Sequence, residues 1–208
     1  DWLTEDHYQF LCQTSARFTY PEFDRTIFAA LPGAALREVS TGKGWERDIR
    51  LIEQAVNFLD TREKDRPFFL FGFFESTHAP YTFPAEQALT PDYLESVNYA
   101  TVSAKDAKRV YNRDVNAANH LDRQLAHLFK ALEKDPGLLD NTIVVITGDH
   151  GEEFYEKGFL GHNSTFVQEQ IRVPLVIIAP GIAPSVYENM SHHADIVPTL
   201  APLLGVVN

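Results

Sequence analysis

One cysteine, a shortage of cations and the lack of any long apolar run do most to narrow the reading of this chain. Cys12 stands alone, so no disulfide can form within the 208 residues, although a lone cysteine does not reveal the compartment. Eighteen Lys and Arg against 29 Asp and Glu leave a formal charge of −11. That balance argues against a surface for nucleic acid or anionic lipid, both of which select clustered cations. An anionic substrate would equally need a bound cation to draw it in. No stretch approaches the roughly 20 apolar residues of a membrane helix. There is no signal-peptide pattern, internal repeat or low-complexity tract, and the chain opens at Asp1-Trp2 without an initiator Met. That start predicts an excised fragment or a processed product. What is present, 44% apolar residues in a chain of this length, suffices for one sizeable core.

The most informative stretch is Thr142-Ile143-Val144-Val145-Ile146-Thr147-Gly148-Asp149-His150-Gly151. Its β-branched, non-alternating core predicts a strand buried on both faces of an α/β sheet. Ligands of such sheets bind beyond the carboxyl ends of the strands, where Asp149 and His150 fall. A carboxylate beside an imidazole suits a divalent ion such as Zn²⁺ or Mn²⁺. Gly151 permits a sharp turn or a close approach. Alone, the Asp-His-Gly triplet is an ordinary strand end. Its surroundings favour a site: a long amphipathic segment before it, His162 twelve residues after His150, and another apolar strand beyond.

Along the rest of the chain, residues 1–44 read as mixed and rich in turns. Trp45, Ile49, Ile52, Val56 and Leu59 have helical spacing. Phe68–Phe74 is a second apolar strand, ending in the polar run Glu75-Ser76-Thr77-His78, and 82–102 is an irregular excursion broken by Pro84 and Pro91. Ser103, with Asp106 three residues on, predicts a capped helix to about Lys134. Its expected apolar stripe is Ala107, Tyr111, Val115, Ala118, Leu121, Leu125, Leu128 and Leu132, with His120 and His127 solvated. Val173–Ile178 is a third apolar strand, and a short helix over about 195–204 closes the chain. Of the other polar groups, His193 is expected to make at most an edge contact. Glu152 and Glu153 stand open between supporting a site and lying on a solvated loop. Tyr81 and Phe83 are read as packing.

These residues resemble a known family. Leu139–Glu152, then Arg172-Val173-Pro174-Leu175-Val176-Ile177, then His193-Ala194-Asp195-Ile196-Val197-Pro198-Thr199-Leu200 are similar, in order and spacing, to the C-terminal half of the sulfatase branch of the alkaline phosphatase superfamily. Asp-His in place of Asp-Asn points to its phospho-group-transferring relatives: lipoteichoic acid synthases, phosphoethanolamine transferases and the Gram-negative inner-membrane sulfatase-like proteins (the YejM/PbgA type). The loop from Glu152 to Asn163 looks most like the last. The resemblance implies a three-layer α/β fold, with a mixed, mainly parallel central sheet and helices on both faces. Residues 1–208 would be the C-terminal part of one catalytic domain whose N-terminal part, with the nucleophile, is absent. It further implies Asp149 and His150 as metal ligands, and His162 and His78 as catalytic groups facing the phosphate or sulfate. The short run Cys12–Arg17 does not match the family's nucleophile signature: it is one residue too long and lacks the proline.

The chemistry implied is metal-dependent hydrolysis or transfer of a sulfate or phosphate ester, on a lipid or a glycan, with Mn, Mg, Zn or Ca as the ion. The whole protein is expected to be anchored in a bacterial inner membrane by preceding helices, with this domain periplasmic. The isolated chain would be inactive and prone to pair through an exposed sheet edge. A non-catalytic envelope module that binds lipid or a partner protein is the alternative. The intact set Asp149, His150, His162 and His78 favours the enzyme.

Overall fold

The computed structural model describes residues 3, 7–20 and 22–206. Strand β1 (Gln9–Thr14) runs between β2 (Leu36–Glu38) and β3 (Phe68–Phe73), parallel to both, with Cys12 opposite Leu36 on one side and Phe71 on the other. Helix α1 (Gly44–Thr61) lies between β2 and β3 in sequence and packs against α2 (Ala107–Lys134). Strands β4 (Val144–Thr147) and β7 (Leu175–Ile178) form an antiparallel pair, with the short hairpin β5 (Glu153–Phe154) and β6 (Leu160–Gly161) and the single turn α3 (Gln168–Ile171) between them. Helix α4 (Ile196–Leu200), flanked by 3-10 turns, closes the described chain. The three apolar strands expected from the sequence are therefore present. Among the described residues they divide between two hydrogen-bonded ladders, rather than joining one sheet.

Residues 1–44 correct the sequence reading. This mixed, turn-rich stretch contains β1, the central strand of the parallel sheet, which the sequence did not lead one to expect. Gln9-Phe10-Leu11-Cys12-Gln13-Thr14 hides as a strand because its apolar run is only three residues long. Buried in the sheet, Gln13 donates its amide to the Leu51 carbonyl at 2.9 Å. Cys12, Phe18 and Phe28 form a small core on one side. Buried between neighbours, the Cys12 thiol is pushed up to about 12.

The helices bury faces slightly rotated from the expected stripes. On α1 the buried residues are Gly44, Asp48, Leu51, Ile52, Ala55 and Leu59. On α2 they are Val110, Asn112, Asn116, Ala117, His120, Gln124 and Leu132, while Tyr111 and Ala118 are exposed. The polar members have a physical cause. The excursion over 82–102 has little regular structure, so its backbone must find partners elsewhere. Asn116 supplies them to both Thr90 N and Thr90 O, and Asn112 donates to Asp92 O at 2.6 Å. Arg113 donates to the carbonyls of Pro80, Leu94 and Glu95. His120, expected in solvent, is buried instead with its ring edge-on to Trp45, and burial lowers its pKa. The expected cap of this helix is present, with Ser103 N donating to Asp106 at 3.0 Å.

Asp48 ties together the ends of three elements. Its buried carboxylate accepts from Ser15 Oγ at the end of β1, and from Glu75 N, Ser76 N and Ser76 Oγ just past β3. The chain that leaves β3 toward His78 is thereby fixed. Strand β7 shows the expected open edge: Leu175, Val176 and Ile178 are 38%, 47% and 41% exposed, with no strand beyond them among the described residues.

Candidate active site

Asp149 and His150 follow Gly148 at the carboxyl end of β4. The corner they occupy is set by Gly151. A Cβ on Gly151 would lie 2.2 Å from the Glu169 carbonyl oxygen and 2.9 Å from that of Arg172, so only glycine fits. The close approach expected at this glycine is thus to the protein's own backbone, and Gly151 N donates to Gln170 O at 2.8 Å. The same end of β4 is tied to its surroundings by Thr147 Oγ1 donating to Pro174 O and by His193 Nε2 donating to Gly148 O at 2.8 Å.

His162 arrives from the hairpin. Phe154 and Leu160 bury it against α2 in a cluster with Tyr81, Phe83, Val110 and Ala117. Glu153, fully buried, accepts from Lys157 N, Phe159 N and Gln170 Nε2, which shapes the intervening loop. Gly161, at φ 127°, makes the turn into His162 in backbone space that side chains rarely enter. His78 arrives from the far side, two residues past the Ser76 fixed by Asp48.

The structure brings these side chains together. The His150 and His162 rings stack with centroids 3.8 Å apart, and the His78 ring lies 5.8 Å from that of His162. Asp149 Oδ2 is 3.5 Å from His150 Nε2. Each of the three imidazoles is held through Nδ1: His78 to the Ala79 carbonyl at 3.0 Å, His150 to the Gly151 carbonyl at 2.9 Å, His162 to Glu152 Oε2 at 2.7 Å. A carbonyl only accepts, so Nδ1 carries the proton in His78 and His150, and their Nε2 atoms keep the lone pair. That tautomer leaves Nε2 free to bind a metal or to take up a proton.

The donor set fits a divalent ion. Two ligands at the bond lengths of Zn²⁺ in a tetrahedral shell stand about 3.4 Å apart. The 3.5 Å between Asp149 Oδ2 and His150 Nε2 matches that spacing. Glu152 also has a carboxylate oxygen within 4.8 Å of the His150 and His162 nitrogens. Its two oxygens are already engaged, one by His162 and the other by the Tyr81 hydroxyl at 2.8 Å.

Three residues of this site escaped the sequence reading or were given lesser roles. Tyr81 is buried but is more than packing, since its hydroxyl donates to Glu152. Burial and the Glu152 carboxylate push that phenol far above its ordinary range. Glu152 lies inward rather than on a solvated face. Asp114 went unremarked. It sits on the packed side of α2 between Val110 and Ala117, and burial, reinforced by the Glu152 charge, raises it to about 7. A carboxylate four residues from Val110 on a helix face was the available signal. Glu75, held by Arg47 at 3.6 Å, is likewise raised by burial.

Comparison with known proteins identifies the family and the fold. The family model described as Sulfatase matches residues 5–206. The chain is 25% identical over 206 residues to choline-sulfatase of Rhizobium meliloti, covering 85% of this chain and 40% of that protein. It is 32% identical over 162 residues to lipoteichoic acid synthase 1 of Bacillus subtilis, covering 72% of this chain and 25% of that one. Among solved structures, a protein of the alkaline phosphatase superfamily from Vibrio parahaemolyticus superposes with a TM-score of 0.68 at 23% identity, over 99% of this chain and 47% of its own. The chain thus spans less than half the length of these relatives.

Proposed function

Because this chain belongs to the sulfatase family, we propose that it forms the C-terminal part of a catalytic domain that hydrolyses or transfers sulfate or phosphate esters with the help of a divalent ion. The observation that carries the reading is the pairing of Asp149 Oδ2 with a His150 Nε2 whose lone pair is left free by the Nδ1 contact to Gly151. Asp149 and His150 are the ligands this chain contributes. A divalent ion there supplies positive charge to the ester oxygens and makes a hydroxyl a better nucleophile at neutral pH. The nucleophile and the remaining ligands belong, in this reading, to the part of the domain not contained in the chain.

His162 and His78 work beside the ligands. When protonated, each donates its Nε2–H to an equatorial ester oxygen, and either can deliver that proton to the leaving oxygen. The strongly acidic chain repels an anionic ester on its own, so the ion and these two imidazoles provide the local attraction. Asp-His in place of Asp-Asn, and the loop from Glu152 to Asn163, support the phospho-group-transferring branch. They favour within it a periplasmic domain of the YejM/PbgA type, acting on a lipid or glycan ester. No helix of the described residues is long and apolar enough to cross a membrane, and the anchor would lie outside them.

The test is a panel of an aryl sulfate, a phosphomonoester and a phosphodiester, each with Mn²⁺, Mg²⁺, Zn²⁺ and Ca²⁺, using the protein expressed from its complete gene. Metal-dependent turnover of one ester class, lost in Asp149→Ala and His150→Ala while the fold is kept, is the expected result. No turnover with any ion, and cellular function unchanged by Asp149→Ala, would replace the enzyme with a binding module.

A further inference from the structure

Resting on the reading above, in which His162 acts on the ester, we propose that Tyr81 and Glu152 are positioning residues that lock His162 in one tautomer and one ring plane. His78 and His150 are each held by the carbonyl of the residue that follows them, a contact made within the same stretch of chain. Among the described residues His162 has no such local partner. Its Nδ1 is held by Glu152, ten residues away, and Glu152 is held in turn by Tyr81, 71 residues from it.

The arrangement is built rather than incidental. Tyr81 is completely buried, with its ring against Phe154, and adopts φ 53°, a left-handed backbone uncommon for an aromatic residue. That backbone places the phenol 2.8 Å from Glu152 Oε1. Both Glu152 oxygens are engaged, Oε1 by Tyr81 and Oε2 by His162, which suits it to a supporting role. As a carboxylate accepting from Nδ1, it requires the proton there and leaves the Nε2 lone pair free, in a ring stacked on His150 and 5.8 Å from His78. The two segments joined by this chain of contacts are those that carry His78 and His150. The same contacts therefore set the spacing of all three rings.

Long-range ¹H–¹⁵N spectra of this chain, labelled with ¹⁵N, read the protonated nitrogen directly and need no substrate. Wild type is expected to show His162 protonated on Nδ1. Glu152→Gln, whose amide oxygen can still accept from Nδ1, keeps that signature. Glu152→Ala shifts His162 toward the Nε2–H form that predominates in an unconstrained imidazole, and Tyr81→Phe gives a partial shift. If Glu152→Ala fails to fold, the wild-type and Tyr81→Phe spectra still decide. A wild-type His162 protonated on Nε2, or a signature indifferent to both Glu152→Ala and Tyr81→Phe, overturns the proposal. In the protein expressed from its complete gene, Glu152→Ala should lower kcat at least tenfold with KM little changed, and Glu152→Gln should restore part of it. Absent turnover alongside the expected spectra would sink the enzymatic reading and leave the positioning intact. Normal kcat in Glu152→Ala would overturn the positioning role while leaving the enzyme.

Discussion

Asp48→Ala should cost about 4 kcal/mol, more than almost any other single change outside the hydrophobic core. Its buried carboxylate accepts four hydrogen bonds, two on each oxygen. The hydroxyls of Ser15 and Ser76 can rotate toward other acceptors, and Ser15 Oγ already lies 3.4 Å from the Phe73 carbonyl. The backbone N–H groups of Glu75 and Ser76 cannot, and each buried donor left without a partner costs about 1–3 kcal/mol. Asp48→Asn separates charge and pattern from volume. Each carboxylate oxygen faces one of those N–H groups, so the amide nitrogen must oppose one of them whichever way it turns. About 2 kcal/mol is expected. With a slope of about 2 kcal/mol per molar urea, the unfolding midpoints should fall by about 2 M for alanine and about 1 M for asparagine. The strand end that Asp48 fixes leads to His78, so the His78 ring resonances should shift in both variants while those of His127, exposed on α2, stay in place. An alanine variant within 1 kcal/mol of wild type would refute the argument. So would asparagine and alanine costing the same, because the donor pattern would then not be the cause.

Further outcomes follow from the same geometry. Gly151→Ala should destabilise by about 3 kcal/mol, because its Cβ meets backbone and not a yielding side chain; thermal melts check this. Asp114 holds its proton up to about 7 in the folded chain, against an ordinary 3.8 when unfolded. Stability should therefore fall as pH rises from about 4 to about 7, and Asp114→Asn should flatten that slope and exceed wild type by about 2 kcal/mol at pH 8 in urea titrations, a figure reduced for the residue's partial exposure. Cys12 should react with a thiol reagent no faster than the chain unfolds, since it is buried and held as the thiol; reaction rates in and out of denaturant decide this. The open edge of β7 should make the isolated chain self-associate with concentration in sedimentation runs, and Val176→Lys should suppress it.

What could be read from the residues depended on how locally each was specified. Val144–Ile146, Phe68–Phe73 and Leu175–Ile178 are apolar runs with turn residues at both ends, and each is a strand. The 107–134 helix was legible from its period and from the Ser103–Asp106 cap. Strand β1 was not, because Gln13 and Thr14 look like surface residues until the Leu51 carbonyl of helix α1 takes the Gln13 amide and Ala16 N turns back to Thr14 Oγ1. The buried face of α2 was misjudged for a related reason. Asn112 and Asn116 serve the backbone of the excursion and His120 the Trp45 carbonyl in the first turn of α1, and those distant partners leave no periodic trace in the helix. Asp149, His150, His162 and His78 stood out at strand ends and by spacing, the resemblance supplied the roles expected of them, and their side chains lie near one another. Glu152 and Tyr81 were undervalued because their importance lies in one contact across 71 residues.

The central claim is that the end of β4 holds a divalent ion through Asp149 and His150. Anomalous scattering from Mn²⁺-loaded crystals of the protein expressed from its complete gene tests it directly. The account predicts a peak within about 2.2 Å of both Asp149 Oδ2 and His150 Nε2, with Glu152 still bound to His162 and Tyr81. A peak held by Glu152 and His162 without Asp149, or no peak at this corner at saturating metal, would contradict it.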